Sequence, residues 1–156
     1  MQRLPDTATT SDYIVVMAVI SIRFTDQRHH ERLKVAAQRR GMAVSPLAEQ
    51  LIEEGLRMQD HPRIVFREGP AGRRATVIGG PEVADVIGAI VGGDVADGER
   101  RSRAAELLAL SPADVDAAMA YYADFTEEID GELRSRQEEA DALEARWRRA
   151  QALLGS

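Results

Sequence analysis

From Val19 to Phe24 the chain alternates in part, with Ile20, Ile22 and Phe24 on one face of an extended segment and Val19, Ser21 and Arg23 on the other. The period then lengthens. Leu33, Ala36 and Ala37 form a narrow apolar stripe at helical spacing, between a capping Asp26 and a Gly41 that ends the helix. Ser45 and Pro46 predict a second helix, with Ser as N-cap and Pro at its first position. Leu47, Leu51, Ile52 and Leu56 make its buried face. One strand and two short helices bury too little apolar surface to fold alone. Two copies that pair their strands bury enough.

The pattern stops at Gln59–Pro62, which reads as a joint. Beyond it, Ile64–Arg67 and Arg74–Ile78 predict two strands. A helix from Pro81 to Val91 should bury Val83, Val86, Ile87 and Ile90, and one from Glu99 to Ala109 should bury Ala104, Leu107 and Leu108. Ser111, Pro112 and Asp114 form a capping box for the next helix, where Val115, Ala118, Met119 and Tyr122 recur at helical spacing. Phe125 to Leu154 is free of proline. In it Leu133, Ala140, Trp147 and Leu154 repeat every seventh residue, Ile129, Leu143 and Ala150 fill most of the second seam, and Arg136 interrupts it. This helix either packs back on its own domain or offers its stripe to a partner, and the sequence leaves both open.

The expected class is mainly α with short β. The expected divisions are an extended or disordered arm over 1–18, a strand–helix–helix unit over 19–59, a hairpin-plus-helices domain over 61–125 and an amphipathic helix over 126–156. Met17 stands just before the strand and is an alternative start of translation.

Charge changes the picture more than composition does. The net charge is −6, yet Ile20–Pro46 holds Arg23, Arg28, Arg32, Lys34, Arg39 and Arg40 against only Asp26 and Glu31. Asp124–Glu144 is the reverse, with nine acidic residues against Arg134 and Arg136. A basic start and an acidic end suit two different partners, or two solvated faces. The chain has no cysteine, which excludes disulfides, thiolate zinc sites and thiol catalysis and fits a reducing cytoplasm. No apolar run approaches a membrane span.

The alternating strand, the helix, the glycine turn and the second helix with its small N-cap, over about Val19–Met58, resemble the ribbon-helix-helix superfamily. That resemblance implies an intertwined dimer whose two-stranded ribbon enters the major groove of DNA. The outward residues Val19, Ser21 and Arg23 would then contact bases. Val19 brings no hydrogen bond and suits a thymine methyl, which leaves Arg23 the main reader. The N–H groups of Ser45 and Leu47 would hold a phosphate, joined by Arg28. The stretches His61–Phe66 and Gly69–Arg74, with Tyr121–Asp124, resemble domain-of-unknown-function family 433 over His61–Leu133. Such proteins are commonly encoded beside PIN-type ribonucleases, and the resemblance implies an antitoxin.

Helix, Leu110–Ser111–Pro112, helix also has the outline of a helix-turn-helix. Its second helix offers Asp114, Asp116, Ala117, Ala120 and Asp124 and no donor for a base, and those carboxylates repel phosphates. Arg67, Arg73 and Arg74 on the hairpin, and Arg100, Arg101 and Arg103, remain as backbone or partner contacts. For toxin binding the apolar candidates are Ile129, Leu133, Leu143 and Trp147. Arg134, Arg136, Arg146, Arg148 and Arg149 are available to enter a carboxylate-lined nuclease site. His29, His30 and His61 show no catalytic or metal-ligand spacing, so the expectation is a non-enzyme without metal or cofactor. The leading reading is an antitoxin that represses its own operon. A dimeric interaction adaptor and a stand-alone repressor are the alternatives.

Overall fold

The computed structural model describes residues 19–92 and 96–154, so the arm over 1–18 lies outside the described residues. The chain divides into two compact units, Met1–Val44 and Ser45–Ser156.

In the first unit, residues 19–24 form no ladder with any described residue. Helix α1 (Gln27–Arg39) follows. Asp26 caps it as expected, its carboxylate accepting the Arg28 N–H at 2.8 Å. At the other end the N–H groups of Arg40, Gly41 and Met42 turn back onto the carbonyls of Ala36, Ala37 and Gln38. Gly41 takes φ +63°, a conformation that glycine adopts without a Cβ penalty.

The second unit begins within α2 (Val44–Asp60) and continues through β1 (Ile64–Gly69), β2 (Gly72–Val77), α3 (Val83–Val91), α4 (Arg100–Leu107), α5 (Pro112–Asp124) and α6 (Thr126–Leu154). β1 and β2 form an antiparallel hairpin in register from Ile64 opposite Val77 to Gly69 opposite Gly72. Gly72 at φ +93° closes its two-residue turn. Ile64, Ala75 and Val77 of the hairpin join Val83, Ala84, Val86 and Ile87 of α3, Val115, Ala118 and Tyr121 of α5, and Ile129 of α6 in one buried core. Phe66, Ile90, Leu108, Leu110 and Leu133 pack round its edge.

Several boundaries depart from the sequence reading for identifiable reasons. α2 starts at Val44, so Ser45 and Pro46 lie in its first turn instead of at cap and first position. The opening N–H groups of a helix have no internal partner, so proline is tolerated there one register either way. α3 starts at Val83 because the Asp85 carboxylate accepts the Glu82 N–H at 3.2 Å and fixes Glu82 as the cap. α4 ends at Leu107, and Ala109 is left-handed at φ 52°. That early end leaves Leu107 exposed, while Leu108 and Leu110 turn inward. On α5 the buried aromatic is Tyr121, with Met119 exposed and Tyr122 half-buried. α2 groups with the second unit, not with the residues before it, and no break occurs at Gln59–Pro62. The His61 N–H bonds the Arg57 carbonyl at 2.8 Å and the Ile64 N–H bonds the His61 carbonyl at 2.9 Å, which carries the chain from helix to hairpin in one tight turn.

α6 packs back on its own domain over only part of its length. Its first two turns pack on the core, with Ile129 fully buried. From Gln137 to Leu153 every side chain is exposed except the half-buried Ala145. The same helix therefore predicts two different responses to truncation. Ile129→Ala should lower stability by about 2–5 kcal/mol through an unfilled cavity, whereas Leu143→Ala should stay within about 0.5 kcal/mol of the parent. Thermal unfolding of the two variants side by side checks this, and equal losses would show that the outer half of α6 is packed.

Candidate nucleic-acid interface and partner helix

The predicted base readers Val19, Ser21 and Arg23 are all exposed. So are Ile20, Ile22 and Phe24, the apolar set of the opposite face. Phe24 has one aromatic neighbour, the His30 ring at 5.7 Å, which joins the segment to the first turn of α1. Arg28 is not a loose cation. Its Nε and Nη2 lie 3.1 and 2.9 Å from the Asp26 carboxylate, and that pairing holds Asp26 below the usual carboxylate range. Of the predicted phosphate contacts on α2, Ser45 is exposed and Leu47 fully buried, so any role of Leu47 rests on its backbone N–H. Further along α2, Leu51, Ile52 and Leu56 are exposed at 40, 46 and 53%. These residues were expected to be buried, and within one chain they are not.

Beyond the buried Leu47, the inward side of α2 is polar. Glu54 is 6% exposed and accepts the Arg73 Nε of the hairpin at 2.7 Å on both carboxylate oxygens. One turn later Arg57 donates to the Tyr121 hydroxyl at 2.9 Å, to Glu128 at 2.7 Å and to Glu53 at 2.8 Å, and its guanidinium lies 4.0 Å above the Phe125 ring. Burial alone would lower the Arg57 pKa, but the hydrogen bonds to Glu128, Glu53 and Tyr121 outweigh it and raise it. Burial pushes the Tyr121 hydroxyl up to about 12. His61 completes the cluster, edge-on to Tyr121 at 5.1 Å and to Phe125 at 5.9 Å, with Nε2 3.1 Å from Asp124. Sequence periodicity could not find this cluster, because its members are 64 and 71 residues apart.

Other arginines proposed as nucleic-acid contacts are likewise engaged. Arg74 pairs with Glu132 at 3.1 Å, Arg101 with Asp116 at 2.5 Å, and Arg100 with Asp97 at 3.1 Å. Arg136, the residue that breaks the α6 seam, bridges to Glu82 and Asp85 at the start of α3. Arg67 and Arg103 remain exposed. On α6 the four apolar candidates separate. Ile129 belongs to the core and Leu133 packs against it, while Leu143 and Trp147 are each 62% exposed. No group of histidine and acidic residues among the described residues is arranged to hold a metal ion, and none of the helices is long and apolar enough to cross a membrane. No family model, curated protein or solved structure matches this chain.

Two carboxylates give stability opposite pH dependences. Glu132 is 7% exposed with its Oε2 unpartnered among the described residues, and burial raises its pKa despite Arg74. The folded chain therefore holds this proton more tightly than the unfolded chain, and stability falls as pH rises from about 4.5 through the raised value. Asp114 is the reverse: the Ser111 hydroxyl first, and Arg63 after it, lower its pKa, so its contribution is present at neutral pH and lost on acidification. Glu132→Gln should remove the decline above about pH 4.5 while keeping an acceptor for Arg74. Urea midpoints across a pH series test it, and an unchanged pH profile would refute the assignment.

Proposed function

We propose that this protein is a dimeric DNA-binding antitoxin. In this reading residues 19–24 of two copies pair as a ribbon that reads DNA, and the second unit presents α6 to a toxin, a PIN-type ribonuclease being the candidate. The observation that carries the reading is the set of apolar residues left uncovered in a single chain. Ile20, Ile22 and Phe24 are exposed in the first unit, and Leu51, Ile52 and Leu56 on α2, while the hairpin and α3–α6 close a core of their own. At about 25 cal/mol per Å² of apolar surface, covering these side chains with a second copy is a substantial driving force. Ile20, Ile22 and Phe24 would then face the interior of the dimer and Val19, Ser21 and Arg23 the groove.

Arg23 carries the sequence discrimination, since serine and valine offer weaker or apolar contacts. Fluorescence anisotropy on the chain's own upstream DNA and on scrambled DNA, at two salt concentrations, should show selective and salt-sensitive binding. Arg23→Ala should weaken the selective component by about 1–3 kcal/mol. Full selectivity in that variant would remove the ribbon from base reading. An interaction adaptor is the second reading, favoured by the one observation that the outer half of α6 is exposed. An adaptor has no DNA affinity to lose as salt rises.

For the toxin-directed surface, Leu143 and Trp147 are the available anchors, with Ile129 and Leu133 engaged in the core. Trp147→Ala should leave folding and DNA binding unchanged and abolish protection of cells that express the toxin. Undiminished protection would move the partner surface elsewhere.

A further inference from the structure

The exposed arginines of the second unit that pair with no carboxylate among the described residues, Arg67, Arg103, Arg134, Arg146 and Arg149, are spread over β1, α4 and α6, whereas those of α1 form one row. Arg57, Arg63, Arg73, Arg74, Arg101 and Arg136 are each closed onto a carboxylate of their own unit. Arg32 and Arg39 are exposed and pair with no carboxylate among the described residues. The two acidic residues nearby are already committed: Asp26 to Arg28, and Glu31 to Lys34 at 3.3 Å. At 100° per residue Arg28, Arg32 and Arg39 fall within about 40° of arc on one face of the helix. At 1.5 Å per residue that row is about 16 Å long. Val35, exposed on the same face, adds neither charge nor acceptor.

A single small anion does not need cations strung along that length. A row of phosphates does, and the guanidinium fork matches phosphate geometry. We propose that this arginine ridge of α1 lies along the phosphate backbone of duplex DNA and supplies a sequence-independent grip next to the base-reading segment. The proposal rests on the DNA-binding reading and extends its single Arg28 contact to a row that includes Arg32 and Arg39. Arg32 and Arg39 contribute open charge, while Arg28, its charge matched by Asp26, adds only the guanidinium N–H groups that the carboxylate leaves free.

The test uses the full chain and the double variant R32Q/R39Q, titrated on the chain's own upstream duplex and on a scrambled duplex between 50 and 200 mM salt. Two lost phosphate contacts should lower the slope of log affinity against log salt by about two on both duplexes. Across that salt range the parent should then lose roughly tenfold more affinity than the variant. The ratio of specific to scrambled affinity and the melting temperature should be unchanged. An unchanged slope overturns the ridge, and so does a collapse of the specificity ratio, which would make these residues base readers. A parent chain that binds neither duplex overturns the DNA-binding reading itself, a result distinct from failure of the ridge.

Discussion

The hydroxyl of Tyr121 is the point on which the second unit turns. It accepts from Arg57 of α2 and lies 3.2 Å from Glu128 of α6, while its ring is fully buried among hairpin, α3 and α6 residues. Through this one residue a helix with an exposed apolar face is fastened to a domain by its polar side. The Glu54–Arg73 pair repeats the arrangement one turn earlier. Partly buried ion pairs seldom add much net stability, but losing one member strands the other charge. Their value here is geometric. They fix which side of α2 faces in, and so decide that Leu51, Ile52 and Leu56 face out.

The charge asymmetry read from sequence acquires a different meaning once partners are known. Part of the acidic stretch from Asp124 to Glu144 is architectural: Asp124 meets His61, Glu128 meets Arg57, Asp130 accepts the Tyr122 hydroxyl and Glu132 meets Arg74. Of the remaining carboxylates, Glu127 is exposed in the first turn of α6, and Glu138, Glu139, Asp141 and Glu144 lie on its exposed half. Among the described residues the basic stretch near the start is internally satisfied only at Arg28 and Lys34.

Local signals were legible to within a residue or two. Asp26, Gly41 and the Ser111–Asp114 box each fix a helix end through hydrogen bonds between near neighbours, and such bonds depend on few residues. Mainly helical architecture with one hairpin also followed from periodicity. What escaped was decided at long range. Periodicity places Leu51 and Leu56 on an apolar face but cannot say what covers it, and it selects Met119 and Tyr122 on α5 although the buried residue that reaches Arg57 is Tyr121. The division at Val44–Ser45 was hidden for the same reason, because α2 is claimed by the hairpin and by α5 and α6 through side chains far off in sequence. The base-reading and toxin-facing assignments concern other molecules, and a single chain carries only their exposed halves.

The outer part of α6 has a consequence for valency. Gln137–Leu154 is a continuous helical rod, about 27 Å long at 1.5 Å per residue. The proposed two-fold dimer would carry two such rods. Any partner that itself has two equivalent grooves meets the second rod at a high effective concentration once the first is seated. Occupancy would then be governed by avidity and by the ratio of the two proteins, so excess of either one would leave singly held, quickly exchanging complexes.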